Sequence, residues 1–167
     1  MHGIAQQQQR RATRARIYLV RVMLGSPLPA VMMALDATYK VVGPTKARAV
    51  KARAFYKGLY ETALKSGEIV TAIEIPVPGK HGFAYEKLKR KIGDYATAAA
   101  AVLITIKAGK VATCAISLTN LGATPLLADA AAKALIGQAP DAKAIGAAVA
   151  AARAIMDPAN DTRGTPQ

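Results

Sequence analysis

The densest concentration of groups able to act on a ligand is a short basic stretch, Lys87, Lys89, Arg90 and Lys91, closed by Asp94 after Gly93. Lysines at 87, 89 and 91 recur at every second position. An extended backbone therefore puts all three ammonium groups on one face, together with Tyr85. Such a face has two readings. It is a solvated strand edge, where lysine deters edge-to-edge aggregation. Or it is an anion site for a phosphate, a reduced flavin or an acidic partner. A carboxylate just after a glycine can accept backbone N–H bonds or hold a neighbouring cation in place.

The remaining reactive residues are few. Cys114 is the single cysteine and sits among Val111, Ala112, Ile116 and Leu118, which reads as a buried, inert thiol in a strand. One cysteine excludes an intramolecular disulfide and any multi-cysteine zinc site, and fits a reduced, cytoplasmic setting. The two histidines, His2 and His81, are too few for a histidine metal cluster, and His81 lies in a Pro/Gly-rich linker where exposure is expected. No Gly-x-Gly-x-x-Gly and no P-loop occurs, so the common backbone device for cradling phosphate is missing. No nucleophile–base pair stands out, and no catalytic residue or metal ligand is assigned.

The chain has 167 residues with 23 Lys+Arg against 10 Asp+Glu, a formal charge of +13, and 52% apolar residues. That apolar share is too high for a disordered chain, and the absence of Trp leaves small and branched aliphatics to build the core. No apolar run reaches the ~18 residues of a membrane span. Residues 1–27 stand apart: four glutamines from Gln6 to Gln9, then Arg10, Arg11, Arg14, Arg16 and Arg21 with no acid. A secretory signal fits poorly, because Arg21 interrupts the apolar stretch. A transit peptide or a basic nucleic-acid arm fits the composition better. The reading adopted is a disordered or artefactual basic leader. Nucleic acid is disfavoured as a partner because the arginines lack interleaved aromatics for stacking.

From Leu28 the sequence becomes ordered in character. Pro29 sits well in the first turn of a short helix. Thr38–Val42 and Lys46–Val50 read as a hairpin around Gly43-Pro44-Thr45. Residues 52–60 are ambiguous, with a helical turn suggested by Phe55, Leu59 and Tyr60. Glu68–Ile75 alternates as a strand, with Ile69, Thr71, Ile73 and Ile75 on one side and Val70, Ala72 and Glu74 on the other. Pro76, Pro78, Gly79 and Gly82 mark a linker. Beyond it lie strands over 83–91, 98–106 and 111–118, the last two joined by a hairpin at 107–110. A helix from 124 or 125 to Ile136, stopped by Gly137, and a second from Asp141 to about Met156 complete the chain. The C-terminal unit is thus three antiparallel strands with two Ala-rich helices on one face, an α+β layer.

Several of these stretches carry a family resemblance. Gly82-Phe83-Ala84-Tyr85-Glu86-Lys87-Leu88-Lys89-Arg90-Lys91-Ile92-Gly93-Asp94-Tyr95-Ala96 resembles the flavin-binding medium subunit of the molybdenum-containing hydroxylases, the aerobic carbon monoxide dehydrogenase and xanthine dehydrogenase family. Leu28-Pro29-Ala30-Val31-Met32-Met33-Ala34-Leu35-Asp36-Ala37, Phe55-Tyr56-Lys57-Gly58-Leu59-Tyr60-Glu61-Thr62, the strand 68–76 and Asp157-Pro158-Ala159-Asn160-Asp161-Thr162-Arg163-Gly164 resemble the same subunit in the same order.

The resemblance implies that 28–80 is the second half of an FAD-binding domain and that 81–167 is the family's C-terminal domain. It implies an oxidoreductase subunit, inactive alone, that passes electrons from iron–sulfur clusters through FAD to an external acceptor. Its partners would be a molybdenum-containing large subunit and an iron–sulfur small subunit. By motif position Lys87 matches a lysine that contacts FAD, Val70 matches an apolar residue near the cofactor, and Asp94 and Tyr95 match a turn beside the flavin ring. A cation there would stabilise the reduced flavin. The family's two Gly-rich phosphate-binding loops lie upstream and are missing here. Pro27 replaces an acidic residue, and the chain ends slightly early. The expectation is an N-terminally truncated relative with FAD binding weakened by several kcal/mol, on the scale of lost charge-assisted hydrogen bonds. The alternative is a subunit-interaction module without a cofactor.

Overall fold

The computed structural model describes residues 14–15, 27–59, 61–89 and 95–159. Two antiparallel four-stranded sheets share one helix. The strands are β1 (Arg14–Ala15), β2 (Thr38–Val42), β3 (Ala47–Lys51), β4 (Tyr56–Gly58), β5 (Glu61–Thr62), β6 (Ile69–Glu74), β7 (Gly82–Leu88), β8 (Ala98–Lys107), β9 (Lys110–Thr119) and β10 (Leu126–Leu127). The helices are α1 (Pro27–Ala34), α2 (Asp129–Leu135) and α3 (Ala142–Arg153), and Ala52–Ala54 makes a 3-10 turn. The first sheet runs β1-β6-β2-β3, the second β10-β9-β8-β7, and β4 and β5 form a separate small ribbon.

The helix α1 is apolar on all sides, and Pro29, Ala30, Met32, Met33 and Ala34 are buried. A helix without a polar face has to be enclosed. Met32 and Met33 enter the first core, while other residues of α1 meet β8, β9 and β10 of the second sheet. The helix ends where Asp36 turns left-handed (φ 51°), with Ala37 N–H donating to Met32 O (2.9 Å) and Asp36 N–H to Met33 O (3.2 Å). That is a Schellman-type stop, with Asp in the place glycine more often takes. The freed carboxylate pairs with Lys51 Nζ (2.8 Å) and Arg53 Nε (3.4 Å).

The first core is built on rings. Tyr39 and Phe55 have centroids 4.5 Å apart, and Tyr56 stands edge-on to Phe55 at 5.3 Å. Tyr39 and Tyr56 hydroxyls share a 2.7 Å hydrogen bond. A register shift between Lys40 and Val41 breaks the expected alternation of β6: Lys40 faces Ala72, but Val41 faces Val70. The extra residue is Thr71. Ile73 stays buried, whereas Ile69 is 63% exposed and Val70 packs on the core in its place. A β-bulge has this consequence because one added residue flips every side chain beyond it. Arg14 and Ala15 pair with Glu74 and Ile73, so the segment read as a leader contributes an edge strand to the first sheet.

The second sheet is a long hairpin with β7 and β10 at its edges. Ala108 (φ 48°) and Gly109 (φ 73°) supply the two left-handed residues of the tight β8–β9 turn. Its core joins Val111, Ile116, Leu118, Ala128, Ala131, Leu135, Ala148 and Ala152 under α2 and α3. The expected three strands and two covering helices are present. One boundary differs: Leu126–Leu127 pairs with Leu118 and Ser117 as a fourth strand, and α2 starts only at Asp129. Ala128 N–H is committed to Ile116 O (2.8 Å), which keeps this stretch extended. Gly137 (φ 83°) ends α2, and Asp141 caps α3 by accepting from Ala144 N–H at 2.8 Å, as the sequence indicates.

Candidate functional site

The lysine-bearing strand is β7, an edge strand paired only with β8. The register sets Phe83, Tyr85 and Lys87 opposite Leu103, Ala101 and Ala99, so these three share one face. Regular pairing stops at Leu88, so Lys89 lies just beyond the strand and is exposed. Arg90, Lys91 and Asp94 lie outside the described residues, and the expected lysine face is described only through Lys87 and its flanking Lys89.

Lys87 is half-buried, unlike its exposed neighbours Glu86 and Leu88. Phe83 at 80% and Leu88 at 65% are the large apolar residues this strand exposes. Beneath the same face, Ala99, Ala101, Ser117 and Thr119 are buried. Tyr85 Oη and Thr119 Oγ1 are both sealed from solvent without a hydrogen bond of ordinary geometry. Burial pushes the Tyr85 phenol up, and the nearby Thr119 hydroxyl pulls weakly the other way.

The chain returns to this strand end at Tyr95. Thr97 N–H donates to Leu88 O at 2.9 Å, closing the connection from β7 to β8. Tyr95 is 39% exposed, and Ala96 is fully buried. The C-terminal end of β7 thus carries the half-buried Lys87, and the chain just across the closing bond carries the partly exposed Tyr95. Val70 belongs to the first sheet, where it faces Val41 in the pairing and packs on the ring core.

Three further features lie apart from this end. A cleft of about 300 Å³ opens between Leu35, Asp36, Arg53 and Pro76 on one side and Leu103 and Ala115 on the other. Leu103 lies four residues along β8 from Ala99, the partner of Lys87, which is ~13 Å at the usual strand rise. The cleft is therefore not the lysine site, and its one charged pair is already satisfied. His81 is exposed, with Nδ1 2.6 Å from Gly79 O, as its linker position implies. Cys114 is half-buried, and burial pushes its thiol up, away from the reactive thiolate. Among the described residues no cluster of three or more His, Cys, Asp or Glu could hold a metal ion, and no helix is long and apolar enough to cross a membrane.

Two arrangements escape the sequence reading. Arg48 grips Glu68 with two bonds, Nε to Oε1 at 2.9 Å and Nη2 to Oε2 at 2.6 Å, and also reaches Ala63 O at 2.6 Å. Lys65 N–H adds a fourth bond, to Glu68 Oε2 at 2.7 Å. Arg48 and that amide hold the Glu68 carboxyl down to about 2. No local spacing signals a pair twenty residues apart. The second is Asn120, whose amide nitrogen donates to both Ala96 O and Thr97 O at 3.1 Å. Its signal was available: an asparagine just after a strand favours the left-handed turn it adopts here (φ 59°).

Comparison with known proteins fits this architecture. Residues 19–78 match the family described as "FAD binding domain in molybdopterin dehydrogenase", beginning within the stretch read as a leader. Residues 83–167 match "CO dehydrogenase flavoprotein C-terminal domain". The two matches divide where Pro76, Pro78 and Gly79 separate the sheets. They define the class as an α+β chain of the molybdopterin-dehydrogenase flavin type. Within that class the chain belongs to the CO dehydrogenase flavoprotein family. It is 56% identical over 141 residues to the carbon monoxide dehydrogenase medium chain of Afipia carboxidovorans, covering 84% of this chain and 49% of that one. The corresponding medium chain of Hydrogenophaga pseudoflava is 40% identical over the same coverage. Among solved structures, the cyanide-inactivated Cu,Mo-CO dehydrogenase superposes with a TM-score of 0.84 at 54% identity, over 86% of this chain and 51% of that chain. The present chain spans about half the length of the curated relatives it matches.

Proposed function

We propose that this chain forms the isoalloxazine-facing part of an FAD-binding medium subunit, an oxidoreductase component of a cytoplasmic molybdenum hydroxylase. In that setting electrons would arrive from a molybdenum large subunit by way of the iron–sulfur small subunit and leave FAD for an external acceptor. The observation that carries this reading is the succession of the two family matches, 19–78 then 83–167, on one continuous chain. FAD supplies the electron-carrying ring. This chain's residues bind it, orient it and bias its charge state.

The chemistry of the β7 end fits a flavin. The ring is flat and aromatic with one polar edge. The ammonium of the half-buried Lys87 would complement negative charge on that edge, and the Tyr95 phenol would offer a stacking surface. Lys87 would hold the charged edge, with Tyr95, Asp94 by motif position and Val70 from the first sheet as further contacts. Domain limits of 28–80 and 81–167 go with this assignment.

The test is titration of the purified full chain with FAD, followed by quenching of flavin fluorescence. The reading expects saturable quenching, and at least tenfold weaker binding for Lys87→Ala, on the scale of one lost charge-assisted contact. A second reading, a cofactor-free interaction module, draws on the exposed Phe83, Leu88 and Ile106. It is preferred if the chain leaves FAD fluorescence unchanged but captures the large and small hydroxylase subunits.

A further inference from the structure

We propose that Asn120 is a positioning residue for the flavin-facing end of β7, an inference that rests on the function proposed above. Its side-chain amide holds the backbone that carries Tyr95 against the strand that carries Lys87.

The case is one of hydrogen-bond supply. Ala96 is fully buried, so its carbonyl has no easy recourse to water. A carboxamide NH2 group offers two hydrogens, and Asn120 spends them on adjacent carbonyls, Ala96 O and Thr97 O, each at 3.1 Å. Only the nitrogen end of the amide can face two acceptors, so its orientation is fixed by its partners. The same residue pair is tied to β7 from the other side, by Thr97 N–H to Leu88 O at 2.9 Å. Residues 96–97 are thus held on both sides, and Tyr95 departs directly from the held point.

Asn120 is itself anchored. It follows Thr119, which pairs with Ala99, the residue that also faces Lys87. On its other side Leu121 O accepts from Asp157 N–H at 2.9 Å, so the segment after α3 braces the loop. The left-handed backbone at Asn120 is one that few side chains tolerate, and among them only asparagine offers a neutral pair of donors on so short a stem. The line of bonds runs from Asp157 through the loop at Asn120 to the backbone of 96–97, next to Tyr95, and on to Leu88, next to Lys87.

The test compares Asn120→Asp and Asn120→Gly with wild type in the full chain. Aspartate keeps the size and the tolerance for positive φ but turns oxygens toward two carbonyls. Glycine keeps the backbone freedom and removes the donors. Amide hydrogen exchange is read at Thr97, with Val111 and Thr113 as internal references for global stability, and FAD affinity is read by fluorescence quenching. The expected result is exchange at Thr97 faster by roughly tenfold or more in both variants, from loss of the two hydrogen bonds. The references should stay unchanged, and FAD should bind at least tenfold more weakly. If Asn120→Asp also disturbs the references, Asn120→Gly decides. Unchanged exchange at Thr97 overturns the proposal. Faster exchange with undiminished FAD affinity also overturns it, because the clamp is then structural only. Wild-type protein that takes up no FAD, with Thr97 exchange still governed by Asn120, instead defeats the flavin reading and leaves a clamp without that role.

Discussion

The two sheets are held by different means. In the first, three aromatic rings and a set of long-range ion pairs do most of the specifying. Tyr39, Phe55 and Tyr56 interlock, Arg48 grips Glu68, and Asp36 gathers Lys51 and Arg53. In the second, small residues dominate: Ala99, Ala101, Ala128, Ala131, Ala132, Ala148 and Ala152 are all buried. A ring core concentrates its stabilisation in a few side chains. An alanine core spreads it over a long hairpin and two close-packed helices. The lesson is that the part proposed to face the cofactor, β7, is mounted on the distributed scaffold, where single truncations remove little.

That contrast is breakable by truncation. Phe55→Ala removes a ring 3% exposed from the centre of the first core and is expected to cost about 3–5 kcal/mol. Near-ultraviolet circular dichroism should show it, since the tyrosines of that core sit against Phe55, with urea unfolding giving the size. If the loss were no larger than for a peripheral alanine, the ring core would not be the keystone described.

Acid sharpens the comparison. The Glu68 carboxyl is held at about 2 by Arg48 and the Lys65 amide, below its ordinary value of 4.5. A carboxyl lowered on folding contributes stability that is complete above about pH 4.5 and is lost as the pH falls toward 2. Wild type should therefore lose urea resistance through that window in the first unit, and Glu68→Gln should flatten the loss. An unchanged acid profile in the variant would remove the pair from the account. The smallest effect belongs to the second unit. Asp141→Ala deletes the α3 cap and should cost about 1 kcal/mol, visible as a modest shift in the unfolding of the helical signal.

Much of the fold is legible in the sequence because it is local. Gly43-Pro44-Thr45, Ala108-Gly109, Gly137 and Asp141 each fix a turn or a helix end by their own conformational chemistry. What escapes is what depends on distant partners. The bulge at Thr71 arises from pairing with β2, and it turns Ile69 outward and Val70 inward against the clean alternation of the strand. Leu126–Leu127 reads as helix until β9 claims its hydrogen bonds. The apolar run of β8 suggests two buried faces, but only Ala99 and Ala101 on one face are buried, Ala100, Val102 and Ile104 on the other are half-buried, and Ile106 is exposed. At the proposed site, the motif is what points to Lys87 and Tyr95. The bonds from Asn120 to Ala96 O and Thr97 O are not legible there, because both partners lie more than twenty residues away.

The most direct test of the central claim is the reduction potential of FAD bound to the chain, in wild type and in Lys87→Gln. Glutamine keeps the length and polarity of the side chain and removes its charge. If Lys87 stands at the polar edge of the ring, the cation favours the negatively charged reduced form, and its loss should lower the potential. A potential that does not move, in a variant that folds and is saturated with FAD, would place the lysine away from the ring and contradict the account.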